Sequence, residues 1–174
     1  PWDAIDAWLV GVYGLSRPDQ VTMQDTLAVA LPWEDAQKKA QRRPTPPQIK
    51  EFVATLGQQL RQLTARSLHS VSVEVLRAVS FEPWAFVRVA AASSTPADTI
   101  QSAVVWSPIG PAPDFIAAAD FQGTTRMVYV NKADRSLTIG ILAQYRYWTP
   151  SRARLLALDL VRQHRQVLVG GASA

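Results

Sequence analysis

Apolar side chains recur at helical spacing through the first third of this 174-residue chain, alternate through its middle, and return to helical spacing near its end. Ile5, Trp8, Leu9 and Val12 fall on one face of a first helix that Asp3 can cap and Gly14 stops. Ser16-Arg17-Pro18 restarts a helix with Met23, Leu27 and Leu31 as its stripe and Pro32 as its end. Residues 33–43 read as a short polar helix. Glu34 and Asp35 stand at its start and Lys38, Lys39, Arg42 and Arg43 toward its end, so both groups favour the helix dipole. After the stiff Pro44-Thr45-Pro46-Pro47, Thr45 and Gln48 have capping-box spacing and Pro46 takes the tolerated first helical position. Ile49, Phe52, Val53, Leu56, Leu60 and Leu63 form the strongest amphipathic stripe in the chain and predict a long helix over 46–68.

The period then changes. Val71, Val73 and Val75 alternate with Ser72 and Glu74 as in a half-buried strand, and Glu82-Pro83 separates them from a hairpin partner over Trp84–Ala92. Residues 100–107 read as a third strand, and Pro108–Pro113 as a loop. Residues 124–130 and 136–148, joined by Asn131-Lys132-Ala133-Asp134-Arg135, form the clearest hairpin. In its second strand Leu137, Ile139, Ile141, Ala143, Tyr145 and Tyr147 alternate with residues that are themselves partly apolar, which predicts a central strand with both faces at least partly covered. Thr149-Pro150 repeats the cap-plus-proline start. Leu156, Leu160 and Val167, with Leu158, Val161 and Leu168, then give a broad apolar face up to Gly170-Gly171.

The elements sum to an α+β fold: N-terminal helices packed on an antiparallel sheet of about five strands, with a C-terminal helix. The 46–68 helix is expected to cover most of the inner face. No internal repeat or linker divides the chain, so residues 1–174 are expected to form a single domain. It comprises a helical N-terminal segment (1–45), the long helix plus sheet (46–148) and the C-terminal helix (149–169). Helices first, then strands at Val71–Ser80 and Trp84–Ser93, and a late long strand ending Tyr-Arg-Tyr-Trp, is similar in order to NTF2-like cone folds. That group includes periplasmic scaffold domains of bacterial conjugation and secretion machines. The chain departs from the plan with about thirty extra residues between 94 and 123 and with a helix, not a strand, at its end.

Composition narrows the chemistry. An apolar fraction of 48% and a charged fraction of 18% are ordinary globular values. No apolar run reaches the length of a membrane span. Without cysteine there are no disulfides and no thiolate metal sites. The chain opens at Pro1 rather than methionine, which implies a processed protein or an excised fragment. Fourteen arginines against four lysines, with abundant alanine, suggest a GC-rich bacterial or phage genome.

Charge is laid out in blocks. Residues 1–35 carry six acids and one base, while residues 36–78 carry eight bases and two acids. An acidic segment followed by a basic one is suited to pairing within the fold or between copies. Trp2 and Trp33 lie near segment ends, where a large ring is hard to bury in its own domain and often anchors a partner. The candidate protein interface is therefore Trp2, Asp3, Asp6 and Trp33 on the acidic side and Lys38, Lys39, Arg42 and Arg43 on the basic side.

A second basic group is Arg154, Arg162 and Arg165, within about 80° on the last helix, with Arg146 beside Tyr145, Tyr147 and Trp148. Guanidinium groups near exposed aromatics suit phosphate contact with base stacking, whereas buried aromatics would leave only a solvated basic face. The two histidines, His69 and His164, have no acid or nucleophile at motif spacing. Asp3/Asp6 and Glu34/Asp35 read as helix-start charges, and Asp114 and Asp120 pair only if the fold joins them. No catalytic constellation, cofactor motif or metal-ligand cluster emerges.

The leading expectation is a non-catalytic structural or scaffold subunit of a larger bacterial or phage assembly, partnered by itself or by other protein subunits. The alternatives are a nucleic-acid-associated protein using the basic C-terminal helix face, and a small-molecule pocket or enzyme on an NTF2-like cone lined by residues 137–147.

Overall fold

A computed structural model describes residues 2–65, 70–76, 83–92, 99–101 and 125–170. Four helices precede the sheet: α1 (Trp2–Tyr13), α2 (Arg17–Val29), α3 (Glu34–Gln41) and α4 (Pro46–Leu63). The strands are β1 (Ser70–Leu76), β2 (Trp84–Ala92), β3 (Thr99–Gln101), β4 (Arg126–Asn131) and β5 (Ser136–Leu142). A 3-10 turn (Tyr145–Tyr147) leads into helix α5 (Pro150–Arg165), and a π-helical turn (Gln166–Gly170) follows. The architecture is α+β.

The sheet order is β3-β1-β2-β5-β4. Four strands are antiparallel, with Val73 opposite Val89, Val87 opposite Ile139 and Val128 opposite Ile139. The short β3 instead joins the β1 edge in parallel. The rest of the expected 100–107 strand, the Pro108–Pro113 loop, Trp106, His69, Asp114 and Asp120 lie outside the described residues.

Period-two alternation sends Val71, Val73, Val75, Val87, Val89, Leu137, Ile139 and Ile141 to one face. Phe52, Val53, Leu56 and Leu60 of α4 meet them there, together with Ala153, Leu156, Ala157 and Leu160 of α5. The inner face is thus shared by two helices, not covered mainly by α4. On the opposite face Leu76, Trp84, Phe86 and Met127 are buried as well, and β5 is enclosed on both sides as its pattern predicts. Gly140 permits this: a Cβ there would stand 3.1 Å from both Phe86 and Met127.

Local chemistry sets the boundaries. Gly14 sits at φ +60° and closes α1 in a Schellman turn, with Gly14 N–H donating to Gly11 O and Leu15 N–H to Val10 O. Helix α1 already starts at Trp2, so Asp3 lies inside its first turn and is not the cap. Ser16 and Asp19 form a capping box at the start of α2. Thr45 N–H donates to Gln48 Oε1 at 2.8 Å at the start of α4. That helix ends at Leu63 rather than 68, because Thr64 folds its buried hydroxyl back onto Leu60 O at 2.8 Å. Leu63 is accordingly exposed. Helix α3 ends at Gln41, which places Arg42 at its C-cap and Arg43 beyond it.

Two expectations are corrected by one residue each. Strand β5 stops at Leu142 rather than 148, because Trp148 turns inward. Its ring is fully buried 4.9 Å from the Phe52 ring, and its Nε1–H donates to Leu142 O at 2.9 Å. The chain between them must loop, so Tyr145 and Tyr147 leave the ladder. On α2 the expected Met23 and Leu27 stripe faces solvent and Leu31 lies past the helix, because Asp25 draws the opposite face inward. Buried Asp25 accepts from Ser151 N–H at 2.8 Å, placing a carboxylate at the start of α5. Arg154 Nη1–H adds a bond to Pro18 O at 3.3 Å. At the far end His164 departs from helical geometry (φ −128°, ψ 27°), and the buried Leu168 belongs to the π-helical turn.

Replacing Trp148 by alanine is expected to cost about 3–5 kcal/mol, read as a lowered urea midpoint with an unchanged slope. A loss below about 1 kcal/mol, the scale of an ordinary surface change, would show that the ring does not hold the sheet and helices together.

Candidate functional site

Among the described residues the large apolar side chains left uncovered are concentrated on the helices. On α1, Ile5 is 50% exposed, Trp8 65%, Val12 58% and Tyr13 72%. This helix packs extensively against no other described element, whereas α2 packs on α3 and α5, and α4 on α5 and β1. The expected face of Ile5, Trp8, Leu9 and Val12 therefore exists as a face, with Leu9 half-buried and the other three in solvent.

Trp2 and Asp3 lie in the first turn of this helix, and Asp6 is exposed on it. Trp33 is the N-cap of α3 and is 68% exposed. The acidic side of the candidate interface is thus an uncovered helix followed, two helices later, by an uncovered indole.

Part of the basic side works inside the fold. Lys38 pairs with Glu34 one turn earlier on the surface of α3, a contact of little energetic weight. Lys39 Nζ stands 6.0 Å from the centre of the Tyr145 ring, and Arg42 O accepts from Tyr145 N–H at 2.8 Å. The end of α3 therefore clasps the 3-10 turn, while the side chains of Arg42 and Arg43 remain exposed.

The second basic group divides. Arg154 is half-buried and turned to Pro18, while Arg162 and Arg165 are exposed near the end of α5. Arg146 lies in the 3-10 turn with its guanidinium carbon 5.8 Å from the centre of the Tyr147 ring. Tyr145 and Tyr147 are half-buried and Trp148 is in the core, so the aromatics stand beside the arginines without forming an open stacking platform. On the same helix Leu155, which the expected apolar face did not include, is 54% exposed, and Leu158, expected on that face, is 51% exposed and so does not belong to the covered side. Their signal was present in the sequence. Leucines at 155, 156, 158 and 160 are too many for one helical face, and the surplus must point outward.

One recess of about 360 Å³ opens where α4, α5 and the β4–β5 edge meet. Phe52, Ile141 and Leu156 contribute apolar lining, and Arg126, Arg152 and Tyr147 the polar lining. Arg126 is already paired with Asp159 at 2.9 Å, and both arginines are exposed. Among the described residues the recess offers a surface contact for an anion and no sheltered acid or base. Nor do the described residues include a group of three His, Asp or Glu able to hold a metal ion. None of the described helices is long and apolar enough to cross a membrane.

Burial raises the Tyr145 phenol above its ordinary pKa of 10.0, and the charges of Asp25 and Glu51 add to the shift, while a hydrogen bond with Gln48 opposes it. An acid whose folded pKa is raised stabilises the fold in its protonated form. That contribution is complete below pH 10 and disappears as pH rises through the folded value. Absorbance titration of the intact protein and of Tyr145→Phe should identify a phenol that ionises later than a free tyrosine. A difference curve centred at or below pH 10 would contradict the burial of the Tyr145 phenol beside Asp25 and Glu51.

No protein-family model, no curated protein and no solved structure matches this chain.

Proposed function

We propose that this chain is a non-catalytic structural subunit of a larger protein assembly, of the kind built in bacteria or phage, and that it acts through protein–protein contacts. The observation that carries the reading is α1: a twelve-residue helix with Ile5, Trp8, Val12 and Tyr13 half or more exposed and no extensive packing against any other described element. An isolated helix of this length is marginal in water and is held mainly by the surface its apolar face covers. Supplying that surface from another molecule stabilises the helix and removes its apolar residues from water together. Trp8 and Trp33 are side chains of the type that dominates protein interfaces.

Charge supports the same reading. Residues 1–16 carry Asp3 and Asp6 and no base, while the exposed ends of α3 and α5 carry Arg42, Arg43, Arg162 and Arg165. Such an arrangement steers the helix toward a basic partner surface and away from an acidic one. Nucleic acid is the weaker reading, because among the described residues no open aromatic platform stands beside the arginines of α5.

Deleting residues 1–15 should abolish association while leaving the sheet folded, as read by light-scattering molar mass and circular dichroism. The full chain should associate more strongly at about 50 mM than at about 500 mM salt. A molar mass that the deletion does not change would overturn the reading.

A further inference from the structure

We propose that the recess between α4, α5 and the β4–β5 edge binds a small organic anion, a carboxylate carried on an aromatic body. The site is separate from the α1 face, and its occupation does not depend on assembly.

Three elements and a turn build it. Arg126 of β4 stands opposite Ile141 of β5 in the antiparallel register, which sets a guanidinium at the sheet edge beside an apolar side chain of the inner face. On α5, Arg152, Leu156 and Asp159 follow the spacing four and three and fall within about 60° of one another at 100° per residue. Phe52 of α4 and Tyr147 of the 3-10 turn complete the lining. Phe52, Ile141 and Leu156 are buried and make the floor, Tyr147 is half-buried, and Thr125, Arg126 and Arg152 are exposed at the rim.

Charge selects the sign of the occupant. Arg126 pairs with Asp159 at 2.9 Å. Arg152 uses its backbone N–H to reach Thr149, and among the described residues no acid meets its guanidinium. Arg146 adds a third guanidinium, 5.8 Å from the centre of the Tyr147 ring, and its Nε is buried with no hydrogen-bond partner among the described residues. Three arginines therefore stand in or beside the recess with one carboxylate, and that carboxylate is engaged. A cation would meet net positive charge there, whereas a planar carboxylate matches the guanidinium fork.

Size and lining select the body that carries the charge. A volume of about 360 Å³ lies near the lower end of the roughly 300–1,000 Å³ of small-molecule pockets, enough for one ring system. The rings of Phe52 and Tyr147 and the flat guanidinium groups suit an aromatic body. Inorganic phosphate would meet the arginines and leave the apolar part of the recess in water.

Ligand-observed NMR titration of the intact chain with naphthoate is the test, with naphthamide as its uncharged counterpart and inorganic phosphate as the anion alone. Naphthoate should bind with a Kd of about 1 mM or lower. Naphthamide and phosphate should each bind at least about fivefold more weakly, the scale of one exposed charge pair. The variants are confined to exposed or half-exposed positions. Arg152→Glu should weaken naphthoate binding at least about fivefold, and Asp159→Asn should strengthen it up to about fivefold by releasing Arg126. Trp8→Asp should leave it unchanged. Naphthoate and naphthamide binding equally would overturn the site, as would an affinity that neither Arg152→Glu nor Asp159→Asn moves. Loss of binding in Trp8→Asp would assign the ligand to the α1 face and overturn it as well. Each of these results leaves the assembly reading to stand or fall on molar mass.

Discussion

Burial of Trp148 is the constraint on which the rest of the architecture depends. Its ring lies against Phe52 of α4, and its indole N–H ties back to Leu142, the last residue of β5. One side chain thereby fixes where the sheet stops, where the chain turns and where α5 begins. The five residues between Leu142 and Trp148 must loop rather than extend, and Ala143 N–H bonds to Pro83 O as they leave the ladder. Thr149 and Pro150 then start α5 in a position where Leu156 and Leu160 share the inner sheet face with α4.

Everything N-terminal to α4 is attached to this junction by polar contacts more than by apolar burial. Asp25 caps α5, Arg154 reaches Pro18, Lys39 lies near the Tyr145 ring, and Arg42 O holds the turn. These contacts secure α2 and α3 while leaving Met23, Leu27 and Trp33 in water. Helix α1 precedes them and connects to α2 through the Gly14 turn. Among the described elements the sheet core is filled by α4 and α5 and the junction by α2 and α3, and α1 packs extensively against none of them.

The sequence was most legible where a local rule and a tertiary need coincide. The α4 stripe from Ile49 to Leu60, the Thr45–Gln48 start, the helix restart at Ser16-Arg17-Pro18, and the β1–β2 and β4–β5 pairings are written in short-range spacing and stand as expected. Apparent continuity misled at Tyr145 and Tyr147, which keep the alternation of β5 although Trp148 pulls the chain out of the sheet. Asp25 was illegible as a tether because its partner, Ser151, lies 126 residues away. The face of α1 could be read, but not that it stays uncovered, because periodicity shows which residues share a face and not what meets it. Leu155 and Leu158 were hidden in a leucine-rich run, where the buried members masked the exposed ones.

On the proposed reading, α1 gains its protection from contacts between molecules. Hydrogen exchange of its backbone amides, measured in dilute and in concentrated protein, tests this most directly, since protection reports local opening segment by segment. Amides of α1 should exchange freely when dilute and become protected as concentration rises, while those of α4 stay protected throughout. Equal protection of α1 at both concentrations would mean that its own chain holds it, and would contradict the account.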